Sequence, residues 1–266
     1  MDMFMKSLVF AEPVPVQGPS ECAFYQTFDW PNGQVVQGRW DYRANAGALL
    51  GNLDMAGKTV LEIGPASGFF TVELEKRGAS QVICIDTSDD EPWEAVPRRD
   101  VDFQQFLEER KRGQLWLRRG WWLTQKVFGG NAKMAYTGVG VLPKLIGHVN
   151  FDVCLISCVL QHFRSPLDVL FNVSDLAREV IVTEPYLPRL EKPGTAEFRP
   201  APGNKIVDSW WKLSSKIISN VMTMRGYEQV SFQRNTVRRW DRMAASIEND
   251  TYREVEFYTS VFRKRE

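Results

Sequence analysis

The chain reads as an α/β protein built on an open, mostly parallel, doubly wound sheet with an antiparallel last strand. Two observations predict that class. From Lys58 onward, short apolar runs with the look of buried strands alternate with helical segments, the rhythm of repeated βαβ units. The first of those runs ends in Glu62-Ile63-Gly64-Pro65-Ala66-Ser67-Gly68, a glycine-bearing turn placed directly before a helix. Size and composition agree: 266 residues, 44% hydrophobic and 25% charged, suffice for a large core and exclude wholesale disorder.

The elements follow in order. Residues 1–20 carry Pro13, Pro15, Gly18 and Pro19 and read as an arm without regular structure. Up to residue 57 the aromatics Phe24, Tyr25, Phe28, Trp30, Trp40 and Tyr42 alternate with turn residues, so 1–57 is expected as an arm and cap over a domain spanning 58–266. Thr59 to Ile63 is the first buried strand, Phe69 to Arg77 a helix stopped by Gly78, and Gln81 to Ile85 a second strand ending at Asp86. Residues 91–130 break the rhythm with an Arg- and Trp-rich helical insertion, helical around Phe103 to Arg112, which suits a lid or an interface between copies of the chain.

Lys133 to Val139 resumes the pattern, and Phe151 to Ile156 is the run expected at the sheet centre. Ser165 is placed as an N-cap with Pro166 at the first helical position and Asp168 three residues after the cap; Leu167, Leu170 and Phe171 form an apolar face. Glu179 to Thr183 is another strand, and Pro185 to Gly203 a long loop of the kind that covers sites. Leu213, Ile217, Val221 and Met224 fall at helical spacing before Gly226. Val230 and Phe232, then Val255, Phe257, Thr259 and Val261, alternate as strands joined through Asn249-Asp250.

Charge and cysteines narrow the function classes. Lys plus Arg and Asp plus Glu each number 33, so no global field draws the chain to nucleic acid or to an anionic membrane. The longest apolar run, near Val153 to Leu160, is far short of the roughly 20 residues of a membrane-spanning helix. With a poor secretory signal and four cysteines without zinc spacing, the expectation is a cytoplasmic protein with reduced core thiols and no metal site.

In the turn after the first strand, glycine lets the backbone approach a ligand, and the helix N-terminus behind it offers free amides. The spacing is not G-x-G-x-x-G, and Ala66 stands where a middle glycine would be, so a smaller nucleoside ligand fits better than a dinucleotide. Asp86, closing the second strand, is placed to accept hydrogen bonds from both hydroxyls of a ribose.

Val60 to Gly68 followed by Ile85-Asp86 resembles the first motif and the acidic loop of class I S-adenosylmethionine-dependent methyltransferases, a Rossmann-like fold, with the resemblance running from about residue 58 to 262. Within that superfamily, Val159 to Leu167 with Leu142-Pro143 upstream is similar to the bacterial tRNA wobble-uridine methyl- and carboxymethyltransferase group. The resemblance implies S-adenosylmethionine as cofactor. Gly64, Ala66 and Gly68 would pass its methionine portion, with Pro65, Ser67 and Phe69 in the same loop, and Glu62 would orient that loop. Asp86 with Thr87 would hold the ribose, Gly138 and Val139 would lie near the adenine, and Ser157 would border the reacting methyl. The carboxymethylating enzymes have a Tyr just before the His; this chain has Gln161, which favours the ordinary cofactor.

His162 lies just past the central strand and is the candidate base; a local role in shaping the loop stands beside that reading. Tyr25, Trp40, Trp122 and Gln161 are the expected acceptor contacts, and His148 is expected to be exposed. The sequence thus predicts O-methylation of a small or glycosylated molecule. The alternatives are a tRNA wobble-uridine methyltransferase, which must explain the zero net charge, and a non-catalytic cofactor-binding subunit.

Overall fold

The computed structural model describes residues 8–88, 94–147, 151–191, 194–240 and 252–265; His148 and the Asn249-Asp250 connection lie outside them. The strands are β1 (Phe28–Asp29), β2 (Val35–Val36), β3 (Trp40–Asp41), β4 (Thr59–Ile63), β5 (Gln81–Asp86), β6 (Lys133–Tyr136), β7 (Phe151–Ser157), β8 (Ala177–Pro185), β9 (Ala196–Phe198), β10 (Trp211–Leu213), β11 (Tyr227–Trp240) and β12 (Tyr252–Lys264). The helices are α1 (Ala46–Leu49), α2 (Phe69–Lys76), α3 (Phe103–Phe128), α4 (Leu142–Ile146), α5 (Pro166–Ser174) and α6 (Ser215–Met224).

Eight strands form one sheet in the order β3-β11-β12-β8-β7-β4-β5-β6. β6, β5, β4, β7 and β8 are parallel neighbours, and β12 enters antiparallel between β8 and β11. The strand order reverses at β4: the chain steps outward to β5 and β6, then returns to the other side of β4 with β7. Such a switch point opens a crevice at the carboxyl ends of β4 and β7, where ligands of open α/β sheets bind.

Alternation along the central strands builds two cores. Leu61, Ile63, Ile83, Ile85, Cys154 and Ile156 face α4, α5 and α6. Val60, Val82, Cys84, Val153 and Leu155 face α2, α3 and the N-terminal aromatics Phe28, Trp40 and Tyr42. The N-terminal segment therefore belongs to the second core, and it also supplies the edge strand β3, paired with β11 through Asp41 and Trp40.

Several local readings change. The helix expected around Phe103 to Arg112 runs on to Phe128, and its second half is the crossover between β5 and β6. Gly113 and Gly120 hide this continuity, because glycine weakens a helix. Gly120 is needed there, since a β-carbon would sit 2.5 Å from the Ala23 carbonyl oxygen. In α6 the buried residues are Ile218, Val221 and Met222; Leu213 lies in β10 and Met224 is exposed. The loop after Pro185 contains a 3-10 turn at Pro188–Leu190 and the ribbon of β9 with β10. Ser165 does cap α5 with Pro166 at its start, without a side-chain hydrogen bond. All four cysteines are free and buried.

Candidate active site

A cavity of about 570 Å³ opens at the switch point. Its floor is the turn after β4. Gly64 has φ +68°, and a β-carbon there would lie 2.9 Å from Cγ2 of Val159 in the loop after β7, so glycine is required by both conformation and close approach. Ala66 is also left-handed, at φ +53°, a conformation that costs a non-glycine residue about 1–2 kcal/mol. The N-terminal segment holds it. The Ser67 amide donates to Gln26 Oε1 at 3.1 Å, the Tyr25 and Gln26 amides donate to Ser67 Oγ at 3.0 and 3.2 Å, and Gln26 Nε2 donates to the Pro65 carbonyl at 3.5 Å.

At the end of β4, Glu62 is buried against the cavity and accepts a hydrogen bond from Thr71 Oγ1 at 2.6 Å, tying the strand to α2. Burial pushes its carboxyl up to about 7. At the end of β5, Asp86 accepts the Thr87 amide at 2.8 Å. Burial raises its pKa, partly offset by the Thr87 hydrogen bonds and by the Arg118 and Arg110 charges. Thr87 is itself clasped by α3, through Gln114 Nε2 on its hydroxyl at 3.0 Å and Arg118 on its carbonyl.

Gly138 and Val139 line the opposite side, where Val141, Phe163 and Val169 add an apolar wall edged by Asp168 and Asn172. Ser157, Cys158 and Val159 close the end of β7. Cys158 has φ +55°, and its thiol lies 3.8 Å from the Tyr42 hydroxyl. His162 sits in the 3-10 turn Leu160–His162, with Nδ1 hydrogen-bonded to the Asp208 carbonyl. A carbonyl only accepts, so Nδ1 carries the proton and the proton-accepting lone pair is on Nε2. Burial and the Arg110 charge lower its value to about 4, so the imidazole is neutral at pH 7.

The structure thus brings Tyr25, Glu62, Gly64, Pro65, Ala66, Asp86, Thr87, Gly138, Val139, Ser157 and His162 to one cavity. Six expected residues do not line it. Ser67 turns its hydroxyl to the N-terminal segment, Gly68 is covered by Trp121 (2.9 Å from where its β-carbon would be), and Phe69 joins the aromatic core, leaving Phe70 to face the cavity. Trp40 is buried behind Tyr42, 5.2 Å from Phe257 in ring centroids. Trp122 donates its indole N–H to the Tyr136 hydroxyl at 3.3 Å, and the Gln161 amide turns back to the Cys158 carbonyl.

Sequence reading missed Gln26, Arg39, Tyr42, Glu94, Arg110, Gln114, Leu117 and Asp208 as lining residues. Arg110, Gln114 and Leu117 recur at helical spacing on one face of α3, the only sequence signal among them. Carboxylates outnumber cations around the cavity: Asp86, Glu94, Asp168 and Asp208 against Arg39 and Arg110, with Glu62 partly protonated at neutral pH. Among the described residues no group of His, Cys, Asp or Glu could hold a metal ion, and no helix is long and apolar enough to cross a membrane.

No family model matches the chain, and no curated protein matches its sequence. Solved structures do match its architecture. The N-terminal domain of EvdMO1, with S-adenosylhomocysteine bound, is 14% identical with a TM-score of 0.54, covering 92% of this chain and 93% of that one. A Pyrococcus horikoshii protein provisionally named an RNA methyltransferase is 13% identical with a TM-score of 0.51, over 83% of this chain and 84% of its own. A Methanosarcina mazei protein named a SAM-dependent methyltransferase is 13% identical with a TM-score of 0.50, over 82% and 96%. At these identities the likeness is one of fold: the chain has the Rossmann-like class I methyltransferase fold.

Proposed function

We propose that the protein is an S-adenosylmethionine-dependent methyltransferase that methylates an oxygen of a small or glycosylated acceptor. One observation carries the reading: the left-handed turn at Gly64–Ala66, the Asp86 carboxylate and the apolar wall around Val139 line a single cavity at the switch point. Its chemistry suits the cofactor, with backbone closely approached at the amino-acid end, a carboxylate for ribose hydroxyls and an apolar slot for adenine. The excess of carboxylates favours a cationic ligand over a dinucleotide, whose phosphates are anionic.

The cofactor supplies, when bound, an electrophilic methyl on a sulfonium. The protein's own task is to align the acceptor for in-line displacement and exclude water. A hydroxyl acceptor must also lose a proton. His162, neutral and protonated on Nδ1, is the base in this reading, and its low value keeps it in the accepting form throughout the neutral range. A roof from α3 and Asp208 over the cavity favours a small acceptor, and the zero net charge supports that choice over RNA.

Isothermal titration of the purified protein with S-adenosylmethionine, and separately with NAD, tests the reading. Micromolar binding of S-adenosylmethionine without NAD binding is expected; NAD binding in its place would overturn it.

A further inference from the structure

Two stretches far apart in sequence, 94–98 and 199–211, meet over His162. The Val96 amide donates to the Val207 carbonyl at 2.9 Å, and the Trp210 indole N–H to the Glu94 carbonyl. Arg98 spans the join, reaching the Asn204 side chain at 3.2 Å, the Ala201 carbonyl at 3.2 Å and the Ile206 carbonyl at 3.5 Å. The joined stretches then grip the histidine turn. The Trp210 amide donates to the Gln161 carbonyl at 2.8 Å, the Arg164 amide donates to the Glu94 carboxylate, and the Arg164 guanidinium lies 5.0 Å over the Trp210 ring. The last grip is the Asp208 carbonyl on His162 Nδ1.

We propose that these stretches form a clasp, bolted by Arg98, that fixes the orientation and tautomer of His162 as it closes the cavity. Arg98 does not line the cavity, so it is a positioning residue that acts through residues 204–208. A fixed Nδ1 proton matters because one imidazole nitrogen must donate for the other to accept. The charged groups around the ring are Arg110, Arg199 and Asp208, and closure of the clasp is also what withholds water from it. The inference rests on the methyltransferase reading only for the use made of His162.

The test is a histidine titration of the full chain without cofactor, by NMR of nitrogen-labelled imidazoles. The chain has two histidines, so a His148→Asn protein assigns His162. In the parent, His162 should keep its proton on Nδ1 and titrate near 4. Arg98→Ala should raise that midpoint by at least about one pH unit toward 6.5, because rehydration of the ring outweighs loss of the Asp208 hydrogen bond, which by itself lowers the midpoint; it should also mix the tautomers, because the Asp208 carbonyl no longer holds the Nδ1 proton. Trp210→Phe keeps the ring over Arg164 and removes only the indole donor; it should give a smaller shift of the same sign, and it serves if Arg98→Ala does not fold. An unchanged midpoint and tautomer in the folded variants would overturn the clasp. Failure to bind S-adenosylmethionine would overturn the methyltransferase reading and leave this result standing.

Discussion

The floor and the roof of the cavity are specified in different ways. The floor is local: within five residues after β4 the backbone turns left-handed at Gly64, Ala66 and Gly68, and each of these positions leaves a mark in the sequence. The roof is assembled from α3, the 94–98 stretch and the 199–211 stretch, which meet only in three dimensions. The floor would bind and the roof would position and seal, so damage to each should show in a different quantity.

The sharpest separation comes from the pair His162 and Asp86. His162→Ala should lower turnover by about 10²–10⁴-fold, the usual range for loss of a general base, while S-adenosylmethionine affinity changes little. An unaffected rate would return His162 to a structural part of the roof. Asp86→Ala should do the reverse: affinity should weaken by about 1–3 kcal/mol through the lost charge-assisted hydrogen bonds, as read by calorimetry. Unchanged affinity would remove Asp86 from the cofactor site and dissolve the contrast.

The same division decides what the sequence revealed. The strand order, the turn and Asp86 were legible because backbone conformation and strand periodicity are dictated by near neighbours. Phe69 and Phe70 show the limit. Both are apolar at a helix start and both touch Tyr42, and only the tertiary contact of Phe69 with Phe28 separates it from Phe70, the one facing the cavity. Trp40 likewise has the composition of a binding aromatic, yet pairing of β3 with β11 turns it into core. Arg110 and Asp208 are 98 positions apart in numbering and carry no shared signal until α3 is folded over the sheet.

A pH scan of thermal stability of the ligand-free protein probes floor and roof together. Glu62 and, behind the cavity, the buried Glu184 are raised by burial to about 7 and about 8. A raised carboxyl binds its proton more tightly folded than unfolded. Its contribution is therefore present below the ordinary value of 4.5 and lost as pH rises through 7 and then 8. His162 is lowered from 6.5 to about 4, so its contribution is present above 6.5 and lost as pH falls toward 4. Tm should therefore decline on the alkaline side through the two carboxyl values, and Glu184→Gln should flatten the later part of that decline. A Tm independent of pH between about 6 and 9 would show that neither carboxyl is held protonated.

The smallest expected effect tests what holds the floor. Ala66 pays for its left-handed backbone, and Ala66→Gly relieves about 1–2 kcal/mol of strain while adding about 0.5–1 kcal/mol of unfolded-chain entropy. The two nearly offset, so stability should shift by no more than about 1 kcal/mol. Cofactor affinity should stay within about threefold, because the turn is pinned from outside by Gln26, through Ser67 and Pro65, rather than by the methyl group at 66. If calorimetry instead showed a tenfold or larger loss, the Ala66 methyl would itself be packing against the ligand. The alanine in place of the usual middle glycine would then be part of the binding surface, and the floor would owe its shape to a side chain as well as to its backbone.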